Sequence, residues 1–142
     1  MAHYWAHWLR MGELLGDKAP RIFQVNWFRK DAEGHWLWPG FGDNARALEW
    51  ALRRINGEVD AVDKLNGRQP VLTDLNVDGL DLPDADLEAL FHVDPDAWAA
   101  EADLTQKYFA QFGADLPPEL TGQLDALRTR IDAARFAAIS FS

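Results

Sequence analysis

The segment from Arg21 to Trp50 limits most strongly what this chain can fold into. Its sequence, RIFQVNWFRKDAEGHWLWPGFGDNARALEW, is dense in tryptophan and phenylalanine and is interrupted by turn residues at two places. Residues 22–28 alternate between two sets in which β-branched and aromatic types dominate, as on a pleated surface. DAEG has the composition of a short loop, and HWLW follows as a second apolar run. The pattern therefore predicts an aromatic-rich β-hairpin.

A tight loop and a helix follow the predicted hairpin. Pro39 cannot donate to a strand ladder, so the second strand should end there, and the glycines on both sides of Phe41 free its backbone. Asp43 or Asn44 can cap the next helix. Large aliphatic residues recur there every three or four positions and line one face: Leu48, Leu52 and Ile55. The loop thus brings an aromatic ring and an amide to a helix N-terminus.

Such a loop is compatible with two roles. Backbone N–H groups, a ring and an asparagine side chain could stack on and hydrogen-bond a flat polar ligand such as a nucleobase. Aromatic residues in a hairpin also commonly fill a core, and an asparagine before a helix commonly serves as a cap. The residues alone leave both interpretations open.

Composition excludes several classes of protein. The chain has 142 residues, 48% of them hydrophobic and 12% aromatic, which is enough for the core of one globular domain. A net charge of −9 argues against nucleic acid or an anionic membrane as a general partner. The absence of cysteine excludes disulfides and cysteine-ligated zinc, and it fits a cytoplasmic location. No apolar run is long enough to span a membrane.

The rest of the chain is predicted to be mainly helical. Helical spacing of apolar residues marks a first helix at Ala2 to Leu15, and Asp94-Pro95 and Pro117-Pro118 begin two later helices. Residues 56–69 are polar and contain two Asn-Gly turns, which predicts a surface connection. After Arg130 the chain ends on the apolar sequence ARFAAISFS. A divergent end, a docked helix and an altered reading frame all remain open for this tail.

No catalytic machinery is recognisable in the sequence. His3 and His7 lie four residues apart on the first helix, but no third metal ligand of the right kind lies nearby. The aspartates between Asp74 and Asp86 lack the calcium-loop pattern and are predicted to form a solvated face. The sequence contains neither a GxxxxGK(S/T) phosphate loop nor an activated nucleophile.

Two motifs carry a resemblance to a known family. NWFRKD, followed by a short turn and LWPGFGDNARALEW, resembles the VNWFRKD…FLWPGFGEN(S/A)RVLEW segment of GTP-dependent phosphoenolpyruvate carboxykinases. The resemblance extends back through HYWAHWLRM and KAPRIF and forward, more weakly, through VDPDAW and ADLPPEL to about Arg130. The later part is most similar to the actinobacterial branch. Nearly the whole chain is covered.

The resemblance implies a guanine-binding site. Residues matching the family's pocket and its loop are Phe28, Trp36, Phe41, Gly42, Asp43 and Asn44. Phe28 and Phe41 would sandwich the base, and Asn44 would read its polar edge. Trp36 and Asp43 stand where the family commonly has phenylalanine and glutamate. The larger ring keeps a stacking face but adds bulk, so the pocket could be tighter or shifted.

The expected fold class is α+β, with an N-terminal helix, the aromatic-rich β-hairpin and a helical C-terminal region. By resemblance, residues 1–142 are the C-terminal segment of the nucleotide-binding domain of a larger α/β enzyme. Residues 1–56 would hold the guanine pocket, 57–82 a connection and 83–142 the helical region.

The resemblance also implies chemistry that this chain would not perform alone. The complete enzyme is a lyase of gluconeogenesis that converts oxaloacetate and GTP to phosphoenolpyruvate, GDP and CO₂. Its Mn²⁺ and Mg²⁺ ligands and its phosphate loop lie upstream of the matched region. The expected partner is a guanine nucleotide, with oxaloacetate or phosphoenolpyruvate only in the complete enzyme, a cytoplasmic monomer. Alternatives are a stand-alone purine-nucleotide binding module and a non-functional remnant.

Overall fold

The structure of the chain, a computed structural model, describes the backbone of residues 1–140 and the side chains of residues 1–137. Residues 1–20 and 93–142 belong to one compact unit, and residues 21–92 form a second. The described residues contain five α-helices and one two-stranded sheet. The helices are α1 (Ala2–Leu15), α2 (Asn44–Ile55), α3 (Asp84–Phe91), α4 (Pro95–Ala110) and α5 (Pro118–Ser140); the strands are β1 (Ala61–Lys64) and β2 (Gly67–Pro70).

The first unit is a helical assembly in which α4 packs on α5. Asp94 caps α4 as predicted, because its Oδ1 accepts a hydrogen bond of 2.8 Å from the backbone N–H of Asp96. Ala102 of α4 and Ile131 of α5 are almost completely buried, at 1% and 2% exposed. On α1, the ring of Trp5 meets the ring of Phe112 edge-to-face at 5.0 Å. The predicted helices of this unit are thus confirmed.

The tail after Arg130 continues α5 to Ser140. Ile131 anchors this extension in the apolar contact with α4, and Arg135 Nε donates a hydrogen bond of 2.8 Å to Asp96 Oδ1 at the start of α4. The tail was interpreted as a divergent end, a docked helix or an altered reading frame. Its described residues form a docked helix. Phe141 and Ser142, the end of the tail, lie outside the described residues.

The second unit is organised around two buried indole rings. Trp38 and Trp50 are each 8% exposed and form a core cluster with Val59 and Leu75. The antiparallel strands β1 and β2 pair Ala61 with Pro70 and Lys64 with Gly67. These strands fall in the segment that the sequence predicted to be a connection.

The predicted strand over residues 22–28 is wrong, because this segment has no regular secondary structure. The predicted aromatic hairpin is reduced to a turn and a single bridge between Lys30 and Trp36. The next two residues, Leu37 and Trp38, are both buried, at 2% and 8% exposed. The backbone bends at these two residues, so no strand continues after the bridge.

None of the described helices is long and apolar enough to cross a membrane.

Candidate functional site

A hydrogen-bonded turn at residues 31–34 positions the aromatic residues on its two sides. The N–H of Gly34 donates to the carbonyl of Asp31 at 3.3 Å, and the N–H of Asp31 donates to the carbonyl of His35 at 3.0 Å. Asp31 Oδ1 accepts from the backbone N–H of His35 at 2.8 Å, and Oδ2 lies 3.1 Å from the Nδ1 atom of the same residue. The aspartate therefore closes the turn with its side chain.

The same contacts determine the ionisation of Asp31. Partial loss of hydration raises its pKa, but the hydrogen bonds from the backbone and ring of His35 and the charge of that ring outweigh this effect. The pKa of Asp31 consequently lies below its ordinary value of 3.8. The carboxylate is thus stabilised in its charged form.

Beside this turn lies a surface that we call the aromatic shelf, formed by Phe28, Trp36 and Lys30. The two rings meet edge-to-face with centroids 5.7 Å apart, and Lys30 Nζ lies 4.1 Å from the Trp36 ring centroid. Asn26 Oδ1 accepts a hydrogen bond of 2.9 Å from the N–H of Phe28, which fixes the local backbone. Phe28 is 72% exposed and Trp36 is 55% exposed. The shelf therefore presents ring surface and a cation to solvent.

Phe41 is held in an unusual backbone conformation. Its φ angle is 46°, in the left-handed region that non-glycine residues rarely adopt, and it follows Gly40 with φ 79°. Its side chain is 95% exposed, so no packing of the ring compensates for the strain. Strained backbone conformations are concentrated at functional sites of proteins, which makes this loop a candidate.

Asn44 has a different local role from the predicted cap. The N-cap position of α2 is Asp43, and neither side chain makes a capping hydrogen bond there. Instead Asn44 Oδ1 accepts a hydrogen bond of 3.0 Å from Nε1 of the buried Trp38. Because an indole nitrogen can only donate, the amide oxygen must face it, and the amide NH₂ group remains with two donors.

Asp43 is held by an arginine of the same helix. Its Oδ1 accepts from Arg46 Nε at 2.9 Å, and Arg46 Nη1 also donates to the carbonyl of Asn76 at 3.0 Å. The carboxylate remains about a third exposed, at 35%. This bridge fixes Asp43, which ends the Phe41–Asp43 turn, to the body of the second unit.

The structure brings some of the predicted site residues together and leaves others apart. Phe28 and Trp36 are in contact, and Phe41 to Asn44 form one turn and the start of α2. Phe41 makes no ring contact with any residue that the structure describes. The expected sandwich places a base between Phe28 and Phe41, so it does not require a direct contact of the two rings, and it stays a prediction.

Three residues that support the site were not singled out from the sequence. Lys30 lies over Trp36, Trp38 orients Asn44, and Arg46 holds Asp43. Lys30 immediately precedes the predicted turn and Trp36 lies two residues after it, so a cross-strand pairing argument that allowed a five-residue loop could have found this contact. The Trp38 contact had no sequence signal, because the same residue fits either face of a short apolar run.

The residues that the structure describes do not fit a Mn²⁺ or Mg²⁺ site. Nowhere among them do three or more His, Cys, Asp or Glu side chains cluster as metal ligands. His3 and His7 therefore acquire no third ligand from the described part of the fold.

Three features together form a candidate site for a nucleotide base. They are the exposed aromatic shelf, the strained loop at Phe41 and the amide donors of Asn44 at the start of α2. The chain matches the phosphoenolpyruvate carboxykinase C-terminal P-loop domain over residues 1–130. It is thus a member of the GTP-dependent phosphoenolpyruvate carboxykinase family.

Similar curated proteins agree with this assignment. The GTP-dependent phosphoenolpyruvate carboxykinase of Renibacterium salmoninarum is 45% identical over 130 residues, which are 90% of this chain and 21% of that protein. The enzyme of the same name from Corynebacterium glutamicum is 42% identical over 131 residues, covering 92% of this chain and 22% of the relative. The chain therefore spans about a fifth of the length of these relatives.

A third relative bears on the tail. The GTP-dependent phosphoenolpyruvate carboxykinase of Treponema pallidum is 41% identical over 140 residues, which cover 97% of this chain and 23% of the relative. A match of that extent necessarily includes most of the residues after Arg130. The docked extension of α5 thus has a counterpart in a relative.

Proposed function

We propose that this chain is the guanine-binding part of a GTP-dependent phosphoenolpyruvate carboxykinase. Its base site would consist of Phe28, Trp36, Phe41, Gly42, Asp43 and Asn44. The complete enzyme would convert oxaloacetate and GTP to phosphoenolpyruvate, GDP and CO₂ as a cytoplasmic monomer in gluconeogenesis. The observation that carries the proposal is the hydrogen bond from Trp38 to Asn44, because it leaves the amide donors of Asn44 available to a ligand.

The orientation of Asn44 favours guanine over adenine. With its oxygen turned toward Trp38, the side chain has both N–H donors of its amide available to a ligand. Guanine carries an acceptor oxygen at its six position, whereas adenine carries an amino donor there. A donor from Asn44 therefore pairs with guanine and meets an unmatched donor on adenine. This arrangement supports a role in choosing the nucleotide.

Stacking would supply much of the affinity. The faces of Trp36 and Phe41 are exposed, and removal of a ring that stacks on a base typically costs about 1–3 kcal/mol. Lys30 lies over the Trp36 ring of the shelf and adds a positive charge that suits an anionic nucleotide in a chain of net charge −9. We infer that the base binds between the shelf and the Phe41 loop.

Catalysis would need parts that this chain does not supply. Decarboxylation and transfer of the γ-phosphoryl group require groups that bind the phosphates and neutralise their charge. The sequence has no GxxxxGK(S/T) loop, and the described residues do not form a metal site. The proposed role of this chain is accordingly limited to recognition of the base.

Tryptophan fluorescence and calorimetry together test this proposal. GTP and GDP should bind the chain and quench its fluorescence at concentrations at which ATP does neither. Trp36→Phe, which installs the ring common in the family, should keep binding by calorimetry but lose most of the quenching. Trp8→Phe is the matched control, because Trp8 on α1 is 53% exposed and lies outside the site. Equal affinity for GTP and ATP would overturn the guanine assignment.

A further inference from the structure

Helix α2 turns its aliphatic face away from its own unit. Leu48 is 58% exposed, Leu52 is 62% exposed and Ile55 is 53% exposed. Their spacing of four and three residues places them on one side of the helix, where they form what we call the α2 stripe. Scattered exposed leucines need no explanation, but a continuous stripe along a helix indicates a contact surface.

The opposite side of α2 is fixed to the second unit. Trp50 is buried in the core cluster, and two arginines of the same helix donate to backbone carbonyls of that unit. Arg53 Nη1 donates to the carbonyl of Asp74 at 3.2 Å, and Arg54 Nη1 donates to the carbonyl of Val59 at 3.0 Å. Rotating the helix to bury the α2 stripe would break these contacts. The stripe can therefore be covered only from outside the unit.

The relatives indicate what covers it. They are more than four times as long as this chain, and the matched domain is described as a P-loop domain. The sequence itself has no GxxxxGK(S/T) loop, so the phosphate loop of that domain belongs to polypeptide outside the matched region. A phosphate loop joins a strand to a helix in an α/β sheet, and such sheets are covered by helices on both faces.

We propose that the α2 stripe docks on the apolar face of the sheet that carries the phosphate loop in the rest of the domain. Helix α2 would then be one of the helices that cover this sheet, with its arginines holding the second unit and its leucines holding the sheet. The Phe41 loop, which immediately precedes α2, would thereby be fixed relative to the phosphate-binding part. The proposal rests on family membership and is independent of which base the loop binds.

Thiol labelling can measure this contact because the chain contains no cysteine. Leu52→Cys places a single thiol on the stripe, and Glu49→Cys places one on an exposed, polar side of the same helix. Each variant is examined in the free chain and in a graft, in which the chain replaces the matched 130 residues of the Renibacterium salmoninarum enzyme. Mass spectrometry of the peptide that carries the introduced thiol gives the labelling rate without interference from other cysteines.

Burial in the graft should slow labelling of Cys at position 52 by about tenfold or more relative to the free chain, as for groups that react only after local opening. Labelling at position 49 should change little. Equal rates at position 52 in both contexts would overturn the proposal. The proposal would also be overturned if labelling at position 52 were already slow in the free chain and became fast when the chain was diluted. That result would indicate that the stripe pairs two copies of the chain.

A second measurement, the thermal midpoint, shows whether the graft folds and tests the same contact without a thiol. Leu48→Asp with Leu52→Asp should leave the thermal midpoint of the free chain unchanged, since both side chains are exposed there. In the graft the same pair should lower the midpoint by several degrees, because it would bury two charges. No nucleotide is present in either measurement, so failure of guanine binding and failure of docking remain distinguishable.

Discussion

At the scale of single residues, Phe41 combines strain with exposure. A φ of 46° beneath a side chain that is 95% exposed means that the ring contributes no packing to the free chain. The residue therefore stores strain that glycine would relieve.

Phe41→Gly should separate stability from binding. We expect the free energy of unfolding to rise by up to about 1 kcal/mol, because the strained conformation suits glycine. GTP binding should weaken by about 1–3 kcal/mol, because the stacking ring is lost. Chemical denaturation and calorimetric titration measure the two effects. A fall in stability would show that the ring packs in a way the structure does not describe.

One substitution can separate the observed contact of Asn44 with Trp38 from its proposed contact with guanine. Asn44→Asp keeps an oxygen for Trp38 Nε1 but replaces the amide donors with an acceptor. Stability should be nearly unchanged, whereas the preference for GTP over ATP should be lost. Asn44→Ala is the companion variant, and it should also lower stability by about 1–3 kcal/mol because Trp38 Nε1 loses its partner in the core. A GTP preference retained by Asn44→Asp would assign the residue a structural role only.

At the scale of elements, the turn at residues 31–34 should respond to acid. The folded-state pKa of Asp31 is lowered, so its carboxylate contributes stability that is fully present above its ordinary value of 3.8. That contribution is lost as the pH falls through the lower folded-state pKa. The difference in thermal midpoint between the wild-type chain and Asp31→Asn should thus shrink as the pH is lowered from 6 to about 3. A difference that is constant over this range would contradict the assignment.

The contact between α4 and α5 should be the most sensitive part of the first unit. Ile131 is 2% exposed against α4, and Ile131→Ala should lower the free energy of unfolding by about 2–5 kcal/mol. Leu104→Ala on α4 is the matched control, because Leu104 is 55% exposed and should change stability by much less. Equal effects of the two substitutions in denaturant titrations would mean that the tail is not docked as described.

Helix α2 shows why an amphipathic pattern does not identify the buried side. Leu48, Leu52 and Ile55 line one face as the sequence predicts, but the buried face is the one that carries Trp50. Three arginines of the helix contact backbone carbonyls of the same unit. Sequence periodicity gives the helix, and only tertiary contacts determine which side meets which neighbour.

At the scale of the whole molecule, our proposal assigns recognition of the base to this chain and phosphate transfer to the rest of the enzyme. The free chain should therefore give no turnover of oxaloacetate and GTP to phosphoenolpyruvate in a coupled assay. The graft into the Renibacterium salmoninarum enzyme should restore turnover, and the graft with Phe41→Gly should need more GTP to reach the same rate. Turnover by the pure free chain would contradict the proposal that this chain only recognises the base.

The family and the helices could be inferred without a structure, because motifs, helix starts and periodicity are local properties of the chain. The sequence also marked the segment from Phe28 to Asn44 as the candidate site. Whether the predicted aromatic strand forms depends on tertiary contacts. In the structure it does not form, and β1 and β2 pair elsewhere in the chain. A strand depends on partners that are distant in sequence, and neither propensity nor alternation identifies them.

The same reason applies to the candidate site. The motif placed Asn44 at the start of a helix, where a cap was one ordinary expectation. Only the fold showed that its oxygen is turned toward Trp38 and its donors away, because that orientation depends on an indole buried between segments. The sequence supplied the residue types of the site, and tertiary packing decided the direction in which their polar groups point.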